Sequence, residues 1–179
     1  DRVASRALDD LVTVADAAAD RGLGLDVTFF TGHMSGPNWA PDWLLDRSAP
    51  PPPGGLRVVS GGRVVHSGYR DPYSDPIALG AERLLLGTVV GALRGHPGVW
   101  LWNLGNEPDL FALPASSADG AAWVASMTET VREIDPVRPV TIGLQSYTAG
   151  LVVDTALYVP LADLAPALFS DSNAPNMQH

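Results

Sequence analysis

An asparagine and a glutamate stand side by side where an apolar stretch of the chain gives way to a polar loop. Residues 99–104 have the length and the aromatic and branched content of a buried strand, and Asn106 and Glu107 follow them closely. The parallel strands of α/β proteins hold their ligands at their carboxyl ends. A carboxyl group at such a place can donate a proton to a leaving group and take one back. The pair therefore predicts acid/base chemistry.

Glu107 also has a simpler interpretation. A Glu-Pro step at a strand end can begin a solvated loop, because Pro108 cannot donate a hydrogen bond to a β ladder. The chain has four glutamates, however, and the other three, Glu82, Glu129 and Glu133, fall within predicted helices. Glu107 is thus the only glutamate at a predicted junction of strand and loop. This position favours the catalytic interpretation.

Further candidates lie on the loop that follows the predicted strand 25–30. His33 either bonds a substrate hydroxyl or is a capped loop histidine. Trp39 either stacks on a ligand or anchors the loop to the rest of the fold. For Trp43, the second tryptophan of this loop, packing is the favoured interpretation. These side chains extend the predicted site beyond the strand that carries Glu107.

A metal or nucleotide cofactor is not expected. The four histidines show neither His-x-His nor His-Glu-x-x-His spacing, and the chain contains no cysteine. The segment Gly22-Leu-Gly24 precedes a strand instead of a helix and lacks the third glycine of a phosphate-binding turn. We therefore predict no metal and no cofactor, and a nucleotide-dependent enzyme is poorly supported.

The charge of the chain limits its partners. The formal net charge is -9, and all 11 basic residues are arginines. Nucleic acids and anionic membranes attract a basic face, so neither is expected as a partner. A neutral substrate fits this charge better. No apolar run is expected to approach the roughly 18 residues of a membrane span.

The chain reads as an alternation of helices and strands. Helices are predicted at residues 1–20, 75–94 and 116–135, strands at 25–30, 99–103 and 140–144, a hairpin around Gly61 and Gly62, and weaker elements at 155–164 and 176–179. Residues 31–55 are predicted to be a long loop. Helices that alternate with strands are typical of parallel βαβ units. The sequence thus predicts an α/β fold in a single domain.

The segment Trp-Asn-Leu-Gly-Asn-Glu-Pro-Asp at residues 102–109 resembles the fourth-strand signature of clan A glycoside hydrolases. The chain is similar in particular to family 5 and to its mannanase-like relatives. The resemblance implies a partial (β/α)₈ TIM barrel that covers roughly strands 3 to 6. A whole barrel typically needs about 250 residues. We therefore expect residues 1–179 to form one incomplete catalytic domain, an internal fragment that needs the remainder of the barrel.

The resemblance also implies roles for individual residues. Glu107 would be the acid/base of a retaining double displacement, and Asn106 would bond the sugar 2-hydroxyl. Trp39 and His33 would contact substrate, and His179 resembles the histidine that ends strand six. The substrate would be an oligosaccharide or polysaccharide, a β-linked mannan or glucan. The clan's nucleophilic glutamate ends strand seven, and nothing here matches it. The alternative is therefore a glycan-binding or degenerate half-barrel without catalysis.

Overall fold

The computed structural model describes residues 2–34, 36–52 and 56–143 of the chain. The helices are α1 (Ser5–Ala19), α2 (Pro76–Leu93), α3 (Pro108–Phe111) and α4 (Ser117–Arg132). The strands are β1 (Leu25–Phe30), β2 (Asn38–Trp39), β3 (Leu45–Asp46), β4 (Val58–Ser60), β5 (Arg63–Val65), β6 (Gly68–Tyr69), β7 (Val99–Asn106) and β8 (Val140–Gly143).

The main sheet consists of three parallel strands in the order β1-β7-β8. Helix α2 lies between β1 and β7 in the chain, and α4 lies between β7 and β8. Neighbouring strands are therefore joined through helices, as in consecutive units of a β/α barrel. The predicted strand at 25–30 is confirmed, the one predicted at 140–144 is confirmed over Val140–Gly143, and β7 extends beyond its predicted end to Asn106.

Both long crossover helices begin at a capping residue that the sequence indicates. The Asp75 carboxylate accepts hydrogen bonds from the backbone N–H groups of Ile77 and Ala78, and Pro76 takes the first helical position. Helix α4 starts at Ser116, whose hydroxyl accepts from the backbone N–H of Asp119. These caps confirm the predicted helix starts.

The core lies between the sheet and helices α2 and α4. Trp102 and Leu104 of β7 are fully buried there. The helices contribute apolar side chains to the same cluster, among them Leu86, Val90, Leu93, Trp123, Val124, Met127 and Val131. Burying one such side chain contributes roughly 1.5–3 kcal/mol to folding. This cluster therefore fixes how β7 sits against its flanking helices.

Helix α2 meets the criterion for a membrane span by length and composition alone. This finding corrects the expectation that no apolar run approaches that length. Its Leu86, Val90 and Leu93 side chains, however, are fully buried in the core described above. Packing inside the domain thus accounts for part of the apolar composition of α2, of which 33% is buried.

The predicted loop between β1 and α2 contains more ordered structure than the sequence indicates. Its strands form two small sheets, β2-β4-β5 and β3-β6, and a single 3₁₀ turn spans Asp42–Leu44. The predicted hairpin is confirmed: β4 and β5 are antiparallel, and Gly61 and Gly62 both have positive φ. A second apolar cluster lies under this segment, formed by Ala40, Leu44, Val58, Ala78 and Phe111. Residues 31–75 lie between the end of β1 and the start of α2, and we call this segment the insertion.

A buried ion pair links β7 to the segment before β8. The Arg138 guanidinium donates to the Asp135 carboxylate at 2.6 Å and to the Val99 carbonyl at 2.7 Å. The Trp102 indole donates to the same carboxylate at 3.1 Å. Burial raises the pKa of Asp135, but the hydrogen bonds from Arg138 and Trp102 outweigh it, so that this pKa lies below its ordinary value.

The weaker helix predicted at 155–164 and the strand predicted at 176–179 lie outside the described residues. The same holds for His179.

Candidate active site

Glu107 stands where β7 ends and the single turn of α3 begins. Its backbone is left-handed, with φ of 48°, and no other non-glycine residue in the described part of the chain has positive φ. Its N–H donates to the Gly143 carbonyl of β8 at 2.8 Å, and its own carbonyl accepts from the N–H of Leu110 at 2.9 Å. The Glu107 backbone is thus fixed between the neighbouring strand and α3.

Asn106 precedes it as the last residue of β7. It pairs with Gly143 in the parallel ladder, and its side chain is partly exposed. The Asn106 amide nitrogen lies 3.7 Å from the Met34 sulfur, on the segment that follows β1. Asn106 and Glu107 therefore lie together at the carboxyl ends of the main sheet, as the sequence predicts for a ligand site.

Polar side chains also occupy the sheet face opposite the helices. Asn103 alternates with the buried Trp102 and Leu104, so it points away from the core. Its amide nitrogen lies 3.3 Å from a carboxylate oxygen of Asp26 on β1, and its amide oxygen accepts from the Gly105 N–H. This face corresponds to the inside of a barrel, and it offers amide and carboxylate groups below Asn106.

His33 is almost fully buried in a polar network. Its Nδ1 lies 2.8 Å from the Asn38 amide oxygen, and the Asn38 amide nitrogen donates to the Tyr69 hydroxyl at 2.8 Å and to the Phe111 carbonyl at 3.0 Å. In this assignment Asn38 Oδ1 is an acceptor, so the proton sits on His33 Nδ1. Its Nε2 atom is then left for another hydrogen-bond partner.

The same network holds the end of α3. The Tyr69 hydroxyl also donates to the Phe111 carbonyl, and the two rings stack with centroids 4.2 Å apart. Gly32 is required beside them, because a Cβ at that position would collide with the Phe111 ring. Burial raises the pKa of Tyr69 to about 12, although the hydrogen bond with Asn38 opposes the rise. The insertion thus positions the short helix that begins at Glu107.

A pocket of about 290 Å³ lies between the insertion, α2, α4 and the start of α3. Trp39 and Trp43 line it and are about half exposed, at 52% and 50%. Its other lining residues include Phe29, Phe30, Pro41, Tyr73, Glu82, Leu85, Pro108, Phe111 and Trp123. Neither Asn106, Glu107 nor His33 is among the lining residues. We call this the aromatic pocket.

Glu82 supplies a carboxyl group to the aromatic pocket. One of its oxygens accepts a hydrogen bond from the Trp123 indole N–H at 2.9 Å. Burial raises the pKa of Glu82 to about 8, and the Trp123 bond offsets only part of that rise. From the sequence alone, Glu82 is one of three glutamates predicted to lie in helices. The signal in the sequence is its place in a helix that is apolar apart from Glu82, Arg83 and Thr88.

The predicted site residues thus divide into two groups. Asn106 and Glu107 lie together, and His33 is connected to their helix through Asn38 and Phe111. Trp39 is next to Asn38 on β2 and lines the aromatic pocket instead. Within the described residues, no cluster of three or more histidine, aspartate or glutamate side chains is arranged to hold a metal ion.

Solved structures with this arrangement support the barrel. The chain matches GH5_18 from Streptomyces cattleya, solved in complex with GlcNAc, with a TM-score of 0.62 and 21% identity over 79% of this chain. It matches the exo-β-1,4-mannosidase Op5Man5 from Opitutaceae bacterium strain TAV5 with a TM-score of 0.63 and 23% identity over 83%. It matches a GH5_18 from Bifidobacterium longum subsp. infantis with a TM-score of 0.61 and 22% identity over 80% of this chain.

The chain spans 31%, 24% and 30% of those three structures. It therefore corresponds to part of a TIM barrel, and the predicted partial (β/α)₈ fold is confirmed. The predicted resemblance to clan A glycoside hydrolases is confirmed by the family match over residues 59–169. No curated protein sequence matches the chain.

A family match covers most of the chain. The family described as "Glycosyl hydrolases family 2, TIM barrel domain" matches residues 59–169, which include β7, the Asn106-Glu107 pair and α4. On this match the chain belongs to the glycosyl hydrolases family 2 TIM barrel domain family.

Proposed function

We propose that this chain supplies the acid/base part of the active site of a retaining glycoside hydrolase. The observation that carries the proposal is the position of Glu107. It directly follows β7, its backbone is tied to β8 and to α3, and its neighbour Asn106 shares the same strand ends. The family match and the barrel fold favour a sugar as the reacting molecule.

The proposed reaction has two steps. In the first, the Glu107 carboxylic acid protonates the glycosidic oxygen as the bond to the anomeric carbon breaks, while a second carboxylate attacks that carbon. In the second, the Glu107 carboxylate takes a proton from water, which attacks the anomeric carbon and releases the nucleophile. The two carboxyl groups must lie about 5–5.5 Å apart. The nucleophile would come from another strand of the barrel.

Neighbouring side chains are proposed to bind the substrate. Asn106 would bond the 2-hydroxyl, an interaction that strengthens in the transition state. His33 would accept a hydrogen bond from a hydroxyl, since its Nδ1 is committed to Asn38. His179 is a further proposed contact, and Trp39 would stack on a sugar ring in the aromatic pocket, apart from the reacting sugar. Asn106, His33 and His179 would form one site only in a complete barrel.

The proposed substrate class is a β-linked mannan or glucan. One solved neighbour is an exo-β-1,4-mannosidase, and another was solved with GlcNAc. A net charge of -9 also fits a neutral polysaccharide better than an anionic one. The competing proposal is a half-barrel that binds glycan without cleaving it, because nothing in the sequence matches the clan's nucleophilic glutamate.

The test compares two glutamate substitutions in a complete barrel that contains this chain. Glu107→Gln removes the transferable proton and should lower hydrolysis of β-1,4-mannan or β-glucan by about 10²–10⁴. Glu129→Gln, on the exposed face of α4, should leave the rate unchanged. Proton NMR of the first product formed should report retained configuration. Full activity of Glu107→Gln, or an inverted product, would reject the proposal.

A further inference from the structure

We propose that the aromatic pocket is a second saccharide site, which binds one sugar ring between Trp39 and Trp43 with a hydroxyl bonded to Glu82. The choice of a sugar rests on the proposed function. The site itself is distinct from the strand ends that carry Glu107, because the pocket is lined by Pro108 and Phe111 but not by Asn106 or Glu107.

The walls of the pocket suit the faces of a sugar. A pyranose presents flat C–H surfaces, which pack against aromatic rings. Trp39 and Trp43 remain about half exposed although the insertion folds around its own apolar cluster. Neither tryptophan belongs to that cluster, and both present indole surface to the pocket.

The inner part of the pocket offers one polar group. The Glu82 carboxyl lies among Tyr73, Leu85 and Trp123, and its only described hydrogen bond is from the Trp123 indole. A carboxyl group with one oxygen engaged in this way has further hydrogen-bonding capacity. An apolar pocket with a few convergent polar groups is the usual form of a small-molecule site.

The environment of Glu82 favours a neutral ligand over a cation. Burial raises its pKa to about 8, so that at neutral pH the carboxyl is mostly protonated. A protonated carboxyl can donate one hydrogen bond and accept another, which matches a sugar hydroxyl. It has no charge with which to hold an ammonium group among the aromatic rings.

The size of the pocket limits the occupant. Its volume of about 290 Å³ is just below the roughly 300–1,000 Å³ that ligand pockets usually have. One ring fits this volume, and further sugars of a chain would extend into solvent past Trp39 and Trp43. The proposed ligand is therefore a single residue of a longer neutral glycan.

The test follows the Trp123 indole N–H by ¹H–¹⁵N NMR while β-1,4-mannobiose or cellobiose is added to the full chain. The background carries Glu107→Gln to stop turnover. We expect a saturable shift of the Trp123 signal, because its hydrogen-bond partner Glu82 would contact the sugar. Trp39→Ala and Trp43→Ala should each weaken the affinity about tenfold. Trp100→Ala, an exposed tryptophan outside the pocket, is the matched control and should leave the affinity unchanged.

Glu82 is tested by two substitutions. Glu82→Gln resembles the neutral acid and should retain binding at pH 6, whereas Glu82→Leu should lose it.

If an alanine variant fails to fold, Trp39→Phe and Trp43→Phe keep a ring and should weaken binding less. A Trp123 signal that does not move with sugar, or that moves with tetramethylammonium instead, would overturn the proposal. Equal affinity in all the tryptophan variants would overturn it too. Because this readout requires no hydrolysis, it is independent of whether Glu107 is catalytic.

Discussion

At the scale of single residues, the backbone of Glu107 is the least expected feature. A side chain beyond Cβ is unfavourable at positive φ, and glutamate has no short polar group that bonds back to its own backbone. Such strain persists where the surroundings impose it, often at functional sites. Here the hydrogen bonds to Gly143 and Leu110 impose it. The sequence could not predict this conformation, because Asn-Glu-Pro carries no glycine to signal it.

This strain predicts a conflict between stability and activity. Glu107→Gly should be more stable than Glu107→Ala by about 1–2 kcal/mol, because only glycine adopts φ of 48° without steric cost. Both variants lack the carboxyl group and should hydrolyse natural glycan equally slowly. Urea unfolding of the two proteins gives the difference. Equal stabilities would show that the left-handed backbone carries no cost.

The raised pKa of Glu82 makes the free energy of unfolding depend on pH. Its folded pKa is raised to about 8, so between its ordinary value near 4.5 and 8 the folded state binds more protons than the unfolded state. Stability should therefore fall as pH rises through that window. Glu82→Gln should reduce this fall, and its stabilising effect should be larger at pH 8 than at pH 5.

The control for that experiment is Glu129→Gln, on the exposed face of α4. This substitution should leave the slope of the unfolding free energy against pH unchanged. Thermal unfolding between pH 5 and pH 8 measures both variants. A wild-type slope that Glu82→Gln does not alter would contradict the burial of this carboxyl group.

At the scale of elements, α3 matters because it is short and held at both ends. Its start is bonded to β8 through Glu107, and its end is bonded to the insertion through the Phe111 carbonyl. A single helical turn has little stability of its own. The orientation of Glu107 therefore depends on Asn38 and Tyr69, which lie in the insertion.

Tyr69→Phe tests this dependence. The substitution keeps the ring stacked on Phe111 but removes the hydroxyl that donates to its carbonyl. In a complete barrel, we expect hydrolysis of β-1,4-mannan to fall about tenfold, because a small displacement of a catalytic group is costly. Aryl glycosides with good leaving groups need little protonation and should be cleaved almost as fast as by the wild type.

Thr130→Val is the matched control, since it removes one hydroxyl-to-carbonyl hydrogen bond in α4, away from the site. It should change neither rate. A loss that is equal for mannan and for the aryl glycoside would assign Tyr69 a purely structural role.

The sequence predicts the regular elements well and the insertion poorly. Asp75, Pro76 and Ser116 mark helix starts by local chemistry, and the glycine pair at 61–62 marks a turn, so these were predictable. Strands β2, β3 and β6 have only two residues each. They depend on contacts between distant parts of the insertion, which no local pattern reports.

At the scale of the whole molecule, the buried pair Asp135 and Arg138 holds strand β7 to the segment that leads into β8. Arg138→Met should destabilise the fold by about 3–5 kcal/mol, because it leaves the buried Asp135 carboxylate without its counter-ion. Arg83→Met, which removes an exposed arginine on α2, should change stability by about 0.5 kcal/mol or less.

Urea unfolding of both variants measures the two free energies. A second substitution, Asp135→Asn, added to Arg138→Met should recover part of the loss because it removes the unpaired charge. A small effect of Arg138→Met would mean that Asp135 is solvated in the folded protein.

The candidate site was predictable where one strand carries it and not where it is assembled from distant segments. Asn106 and Glu107 follow a strand whose apolar pattern is plain in the sequence. Trp39 and Glu82 are 43 residues apart in the printed sequence and both line one pocket, which only the folded chain reveals. The same holds for His33, whose ring is fixed by Asn38.

The central claim is that Glu107 is the acid/base, and azide rescue tests it most directly. In a complete barrel, Glu107→Ala should still form the glycosyl-enzyme from an aryl glycoside with a good leaving group, giving a burst of phenol and then slow turnover. Azide needs no base and should accelerate the second step, yielding a glycosyl azide of retained configuration. An absent burst with no effect of azide, or a glycosyl azide of inverted configuration, would contradict the assignment of Glu107.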